Sequence, residues 1–168
     1  VIGPGEVCTH SYFLIGSFDD KEYADNFDFK NVDISSGKNL SSMFAFIGSE
    51  AEEWSFTGLD QLDLRNATSL YSFLHGISDG DYIRDIGTLN IYGTDISSML
   101  FGCSGIKGTI NIYNNPSDYG YGRSFEYTAT APGSEIIVNY TADVTNIDNI
   151  INTKSSNSNV IKGELINN

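Results

Sequence analysis

Few side chains of this sequence have the types and spacings that covalent or metal chemistry requires. The two histidines, His10 and His75, have no cysteine or carboxylate at a metal-ligand spacing. Acidic residues cluster at Asp19-Asp20 and at Asp79 and Asp81, but without the regular Asp-x-Asp-x-Asp-Gly loop of a calcium site. No serine-centred elbow or phosphate-cradling glycine loop is present. We therefore predict that the protein is not an enzyme and holds no cofactor and no metal.

Non-covalent recognition has better candidates, because tyrosine and arginine are enriched among the residues that dominate binding energies. Arg65, Tyr92 and Tyr113 each directly follow a short apolar-polar-apolar segment. If these segments are neighbouring strands in register, Tyr92 and Tyr113 are adjacent, and Arg65 could lie over the ring of Tyr92. This row would suit a protein or glycan partner. Its alternative role is a side-chain ladder that helps the strands to pair.

The longest irregular stretch, residues 113–123, adds three more candidates, Tyr119, Tyr121 and Arg123. Glycine and proline prevent regular structure in this stretch, and its tyrosines and arginine are typical contact residues of binding loops. Alternatively, the tyrosines fold back onto a helix that begins near Ser124. Both interpretations stay open on the sequence alone.

Two cysteines, Cys8 and Cys103, are too few to indicate a redox compartment. A disulfide between them would need Cα atoms within about 7 Å. We instead expect Cys103 to be a small buried apolar residue in a tight turn.

The elements that must position these residues are clearest between Leu89 and Cys103. Leu89 and Ile91 alternate with polar residues, which predicts a strand with one apolar face. Ile96, Met99 and Leu100 then have the i, i+3, i+4 spacing of a short helix. Thr94 or Asp95 is the predicted cap of this helix, and Gly102 its end. A strand and helix this short cannot bury their apolar faces alone, so the unit must stack against copies of itself.

Related units recur along residues 30–168, with a polar residue between the apolar residues of each strand. The second inward-facing residue of each predicted strand marks the repeat length. Successive marker residues are 30, 27, 21 and 28 positions apart: Ile34, Leu64, Ile91, Ile112 and Tyr140. These lengths predict an α/β leucine-rich-repeat solenoid of about five irregular repeats, with a parallel sheet on one face and short helices on the other. Residues 161–167 echo residues 106–112 and predict a partial sixth strand. The competing interpretation is an α/β sandwich with coincidental alternation.

Two segments depart from the repeat. Residues 1–29 do not fit it, and we predict that they form an N-terminal cap on the first repeat. An insertion from Gly48 to Gly58 contains Trp54, which we expect to fill the core or a groove.

The repeats resemble degenerate copies of the BspA-type leucine-rich repeat. The strand of that family is apolar-Asp-apolar, its helix contains Ser-Met-Phe, and Gly-Cys-Ser follows. Here Leu62-Asp63-Leu64 resembles the strand, Met43-Phe44 the helix core, and Phe101-Gly102-Cys103-Ser104 the exit turn. The resemblance implies a bacterial cell-surface or secreted protein that binds a protein partner, such as a host or matrix protein, in adhesion. Alternatives are a carbohydrate-binding module or a structural spacer.

Charge and hydropathy narrow the choice of partner. The formal net charge is −13, from 9 basic and 22 acidic residues without a basic cluster, so nucleic acid is a poor partner. No apolar run approaches the roughly 18 residues of a membrane span, so we expect no membrane insertion in this segment.

Overall fold

The computed structural model describes residues 26–46, 55–78, 80 and 82–168. Within these residues, regular structure consists of short parallel strands, two short 3-10 helices and one short α-helix. The strands are β1 (Asn26–Asp28), β2 (Ser55–Thr57), β3 (Arg84–Ile91), β4 (Ile106–Ile112), β5 (Glu135–Tyr140) and β6 (Val160–Leu165), the 3-10 helices are Phe29–Asn31 and Leu59–Gln61, and the α-helix is α1 (Ile147–Ile151).

The strands stack in chain order, as a repeat solenoid requires. Strand β1 pairs with β2, and a four-stranded sheet runs β3-β4-β5-β6 with every pairing parallel. Ile91, Ile112 and Tyr140 occupy one register position. The predicted parallel stacking and register are confirmed for the copies with Ile91, Ile112 and Tyr140, as is the sixth strand, and an α/β sandwich is not formed by the described residues.

The first two copies differ from the prediction. Residues 32–34 and 62–64 are not strands, and each run follows a 3-10 helix. Ile34 and Leu64 are nevertheless buried, as predicted. In these copies the ladder-forming residues lie earlier in the chain, in β1 and β2, and the 3-10 turn separates them from the buried aliphatic pair.

The segments predicted as helices are runs of consecutive turns. Within Leu70–Gly76, the N–H groups of Phe73 and His75 donate to carbonyls three residues back. The N–H group of Leu74, between them, donates to Met99 of the next repeat at 3.0 Å. An α-helix would send these groups four residues back. We call the four runs the turn segments and the side of the solenoid that they form the turn face: residues 40–46, 70–78, 96–104 and 120–128.

In the last repeat, the helix α1 replaces the turn segment. Ile147, Ile150 and Ile151 are buried on α1. The N–H groups of Phe125 and Tyr127 donate to the hydroxyls of Thr153 and Ser155, respectively. Two side-chain oxygens thus replace the backbone carbonyls that accept such bonds in earlier repeats.

A single apolar core joins the sheet to the turn segments. It contains Ile91 and Ile112 from the strands together with Phe73, Leu100 and Phe125 from the turn segments. No single repeat has a core of its own, which is the property expected of a solenoid.

Some predictions fall on residues that the structure does not describe. These are the cap up to residue 25, Trp54, Cys8 and the acidic clusters at Asp19-Asp20, Asp79 and Asp81. Among the helices of the described residues, none has the length and apolar character needed to cross a bilayer.

Candidate functional site

Tyr92 and Tyr113 form the centre of the candidate site on the outer face of the sheet. Their ring centroids lie 4.6 Å apart and their planes differ by 10°, so the rings are stacked. Both side chains are half-buried. Burial, followed by the neighbouring phenol of Tyr113, raises the pKa of Tyr92. The predicted adjacency of the two tyrosines is confirmed.

Polar side chains fix the backbone beneath the tyrosine pair. The Asn114 amide donates to the carbonyl of Tyr92 at 2.7 Å, and the Thr141 hydroxyl donates to the carbonyl of Tyr113 at 2.8 Å. The Tyr113 N–H group donates to Ile91 at 2.9 Å. The rings therefore stand on a backbone that is ordered before any partner arrives.

Three asparagines form a continuous hydrogen-bonded row beside the tyrosines. Asn90, Asn111 and Asn139 share one register position. Asn139 donates to the Oδ1 atom of Asn111, and Asn111 donates to that of Asn90, both at 3.0 Å. At the far end, the N–H group of Glu164 donates to Asn139 at 2.9 Å. Every amide therefore points the same way, toward the N-terminal repeats.

The sheet carries two further rows on the same face. Thr88, Thr109, Ile137 and Ile161 share one register position and lie next to the asparagines along their strands. Beyond them, Lys107 pairs with Asp85 at 3.3 Å. On this face, rows of aromatic, amide, threonine and isoleucine, and charged side chains therefore follow one another.

Arg65 lies near enough to Tyr92 for its charge to act on the phenol, but its hydrogen bonds are made with Asp63 and not with the ring. Its guanidinium makes a two-pronged contact with Asp63, Nε to Oδ1 at 2.9 Å and Nη2 to Oδ2 at 2.6 Å. This side-chain bond, with one from the Arg65 backbone, lowers the pKa of Asp63 to about 2. The guanidinium of Arg65 thus binds the nearby carboxylate of Asp63 instead of the ring of Tyr92.

The loop tyrosines divide between the two interpretations that the sequence left open. Tyr119 is 94% exposed, whereas Tyr121 packs against the core. The backbone under Tyr119 is held in place, since Ser97 donates its hydroxyl to the Tyr119 carbonyl at 3.2 Å and Ile96 donates to Gly120 at 2.6 Å. Tyr119 is therefore an exposed ring on a loop whose backbone is hydrogen-bonded to the preceding repeat, and Tyr121 is structural.

Arg123 belongs to the turn face. Its guanidinium lies 4.3 Å from the ring centroid of Phe101 and bonds Glu126 at 2.6 Å. The bond to Glu126 raises the pKa of Arg123. The prediction that Arg123 contributes to a binding loop with Tyr119 remains a prediction.

An aromatic row on the turn face was missed by the sequence analysis. Neighbouring ring centroids lie 4.8 Å apart from Phe46 to His75, 4.8 Å from His75 to Phe101, and 5.6 Å from Phe101 to Tyr127. The first three follow Met43, Phe73 and Met99 by two or three residues, a spacing that could have indicated the row.

The described residues contain no group of three metal-ligating side chains. Cys103 is free and buried, and burial raises the pKa of its thiol to about 12. Its predicted role as a small buried apolar residue is confirmed.

No protein-family model matches the chain, and comparisons with curated proteins and with solved structures gave no significant match. The resemblance to BspA-type repeats therefore rests on Leu62-Asp63-Leu64, Met43-Phe44 and Phe101-Gly102-Cys103-Ser104.

Proposed function

We propose that this chain is a non-catalytic binding module of the BspA-type leucine-rich-repeat kind, exposed at a bacterial surface or secreted, which holds a protein partner in adhesion. Its contact surface is the sheet face with Tyr92, Tyr113 and Arg65, and the exposed loop residue Tyr119 is a separate candidate contact. The observation that carries the proposal is the stacked tyrosine pair on a backbone that neighbouring repeats already fix.

Pre-ordered aromatic residues favour binding because little conformational entropy is lost when a partner arrives. Stacking holds the rings of Tyr92 and Tyr113, and hydrogen bonds hold the backbone beneath them. Tyr119 adds an almost fully exposed ring. Large amphipathic rings on a rigid frame are the commonest anchors of protein interfaces.

The test measures binding to immobilised extracellular-matrix proteins by surface plasmon resonance. The double variant Tyr92→Ser/Tyr113→Ser should weaken binding at least about tenfold, since truncating a central aromatic anchor commonly costs 2 kcal/mol or more. The matched control is Tyr71→Ser, because Tyr71 is a 48% exposed tyrosine on the turn face. Equal loss in both variants, or no loss in the double variant, would contradict the proposed surface.

A carbohydrate ligand is the second candidate, and the asparagine row favours it. Among the described residues, the row ends at an Asn90 amide nitrogen that donates to no protein group, next to the stacked rings. Amide donors beside an aromatic face match the hydroxyls and apolar faces of sugars. A glycan array with the wild type, the double variant and Tyr71→Ser would distinguish a protein ligand from a carbohydrate ligand. Sugar binding that is lost in Tyr92→Ser/Tyr113→Ser supports a carbohydrate ligand.

A structural spacer is the remaining alternative. It predicts no binding on either the matrix-protein panel or the glycan array, together with unchanged behaviour of all variants.

A further inference from the structure

The turn face exposes an unusual amount of aromatic surface. Phe46 is 45% exposed, Tyr71 48% and Tyr127 52%. Phe46 and Tyr127 are the two ends of the aromatic row Phe46-His75-Phe101-Tyr127. His75 and Phe101, between them, are half-buried. A contiguous exposed apolar patch on a soluble domain commonly marks an interaction surface.

The backbone at both ends of the row is unfavourable for an aromatic residue. Phe46 has φ 59° and Tyr127 has φ 58°, in the left-handed region. The equivalent positions in the two middle repeats are Gly76 and Gly102, with φ 64° and 73°. Glycine adopts this conformation freely, whereas a bulky side chain adopts it only at a cost. The fold thus holds two exposed rings at positions where glycine would be easier.

The turn segments also differ in charge from the rest of the chain. The four turn segments contain one of the 22 acidic residues, Glu126, and one of the nine basic residues, Arg123. These two side chains neutralise each other in a 2.6 Å ion pair. The net charge of −13 therefore lies outside the turn segments.

We propose that the turn face is a self-association surface, on which a second copy of this chain packs its own turn face. Two copies that each carry a charge of −13 repel each other wherever acidic surfaces meet, and a neutral face minimises that repulsion. Depletion of charge with enrichment of aromatic residues and arginine is also the composition of an interface core. A twofold arrangement uses the same patch on both copies.

This proposal is independent of the function proposed for the sheet face, because the two surfaces lie on different sides of the core. The aromatic row here makes the contact between copies, and the tyrosine pair stays accessible to its own partner.

The test is sedimentation equilibrium of the full chain over a range of protein concentrations, at low and at high salt. The wild type should form dimers, and salt should strengthen the association because it screens the long-range repulsion. The variant Phe46→Asn/Tyr127→Asn should associate at least about tenfold more weakly, as expected for loss of central aromatic anchors. Asparagine tolerates the left-handed conformation, so this variant should keep its fold.

The control is the sheet-face variant Tyr92→Ser/Tyr113→Ser, which should dimerise like the wild type. Circular dichroism and thermal melting of every variant establish that the fold is intact, and the single variants Phe46→Asn and Tyr127→Asn serve if the double variant melts early. A wild type that stays monomeric at all concentrations and salt levels would overturn the proposal. Undiminished association of the asparagine variants would overturn it as well, as would a dimer lost only in the sheet-face variant.

Discussion

Replacing Asn111 with alanine removes the middle member of the asparagine row. Its amide donates to Asn90 and its Oδ1 atom accepts from Asn139, each at 3.0 Å. The substitution therefore breaks two hydrogen bonds between three consecutive repeats while leaving the backbone pairing of β4 intact.

The expected loss follows from the environment of these bonds. A typical intramolecular hydrogen bond contributes a net ~0.5–1.5 kcal/mol. Both bonds of Asn111 are partly buried, so water can reach the groups that are left behind. We therefore expect the free energy of unfolding to fall by about 1–2 kcal/mol. In a domain of this size that corresponds to a Tm lower by about 2–8 °C.

Urea unfolding followed by circular dichroism measures this loss, with Thr109→Ala as the matched control. Thr109 lies two residues earlier on the same strand and pairs with Thr88 in the adjacent row. Thr109→Ala should lower the free energy of unfolding clearly less, because among the described residues the Thr109 side chain makes no hydrogen bond to another repeat. If Asn111→Ala and Thr109→Ala lower the free energy of unfolding equally, the hydrogen-bonded asparagine row does not contribute to stability. Additivity in a double-mutant cycle with Asn139→Ala would refute their coupling.

Three further substitutions or conditions test other contacts. Gly163→Ala should destabilise the fold by about 1–3 kcal/mol, because the added methyl would overlap Oδ1 of Asn139 at the end of the row; urea unfolding measures the loss. Burial lowers the pKa of His75 below its ordinary value of 6.5, so the folded state favours the neutral ring. Stability should therefore be full above pH 6.5 and decrease as the pH falls below it, and a urea series at several pH values should show a weaker decrease in His75→Phe. In a Cys8→Ser background, the thiol of Cys103 should not react with an aromatic disulfide reagent until the protein unfolds, because it is buried and its pKa is raised to about 12. Rapid modification of the native protein would contradict the assigned burial.

Much of the sheet could be predicted because strand alternation is a direct consequence of burial on one face. Leu89 and Ile91 point into the core and Asn90 points out, and the same holds for Ile110, Ile112 and their intervening asparagine. Once the strands are parallel and in register, equivalent residues must become neighbours. The stacked pair of Tyr92 and Tyr113 follows from this geometry alone.

The turn segments could not be predicted in the same way. Leu70, Phe73 and Leu74 have helical spacing and are buried, but consecutive turns bury the same positions. What distinguishes the two structures is where the backbone N–H groups donate, and that depends on the neighbouring repeat. Ser72 has φ 53°, a conformation that excludes a helix but has no signal in its residue type.

Arg65 shows the limit of arguing from register. Its position beside Tyr92 in the row favoured a contact with the ring, but Asp63 is two residues away on the same segment. A charge-assisted two-pronged bond is stronger than an exposed cation–π contact, so the local partner is preferred. Strand register therefore predicts well which side chains are neighbours. It predicts less well which of these neighbours contact each other directly.

The two proposed surfaces share one physical origin. Strand spacing of about 4.8 Å aligns one residue from each repeat into a row, so each repeat adds one member to every surface. On the sheet face the rows combine amides, charges and stacked tyrosines, which suits a partner with hydrogen-bonding groups. On the turn face the row is aromatic and carries almost none of the charge of the chain, which suits a second copy. Salt tests the second mode, because it should strengthen self-association by screening the repulsion between like charges.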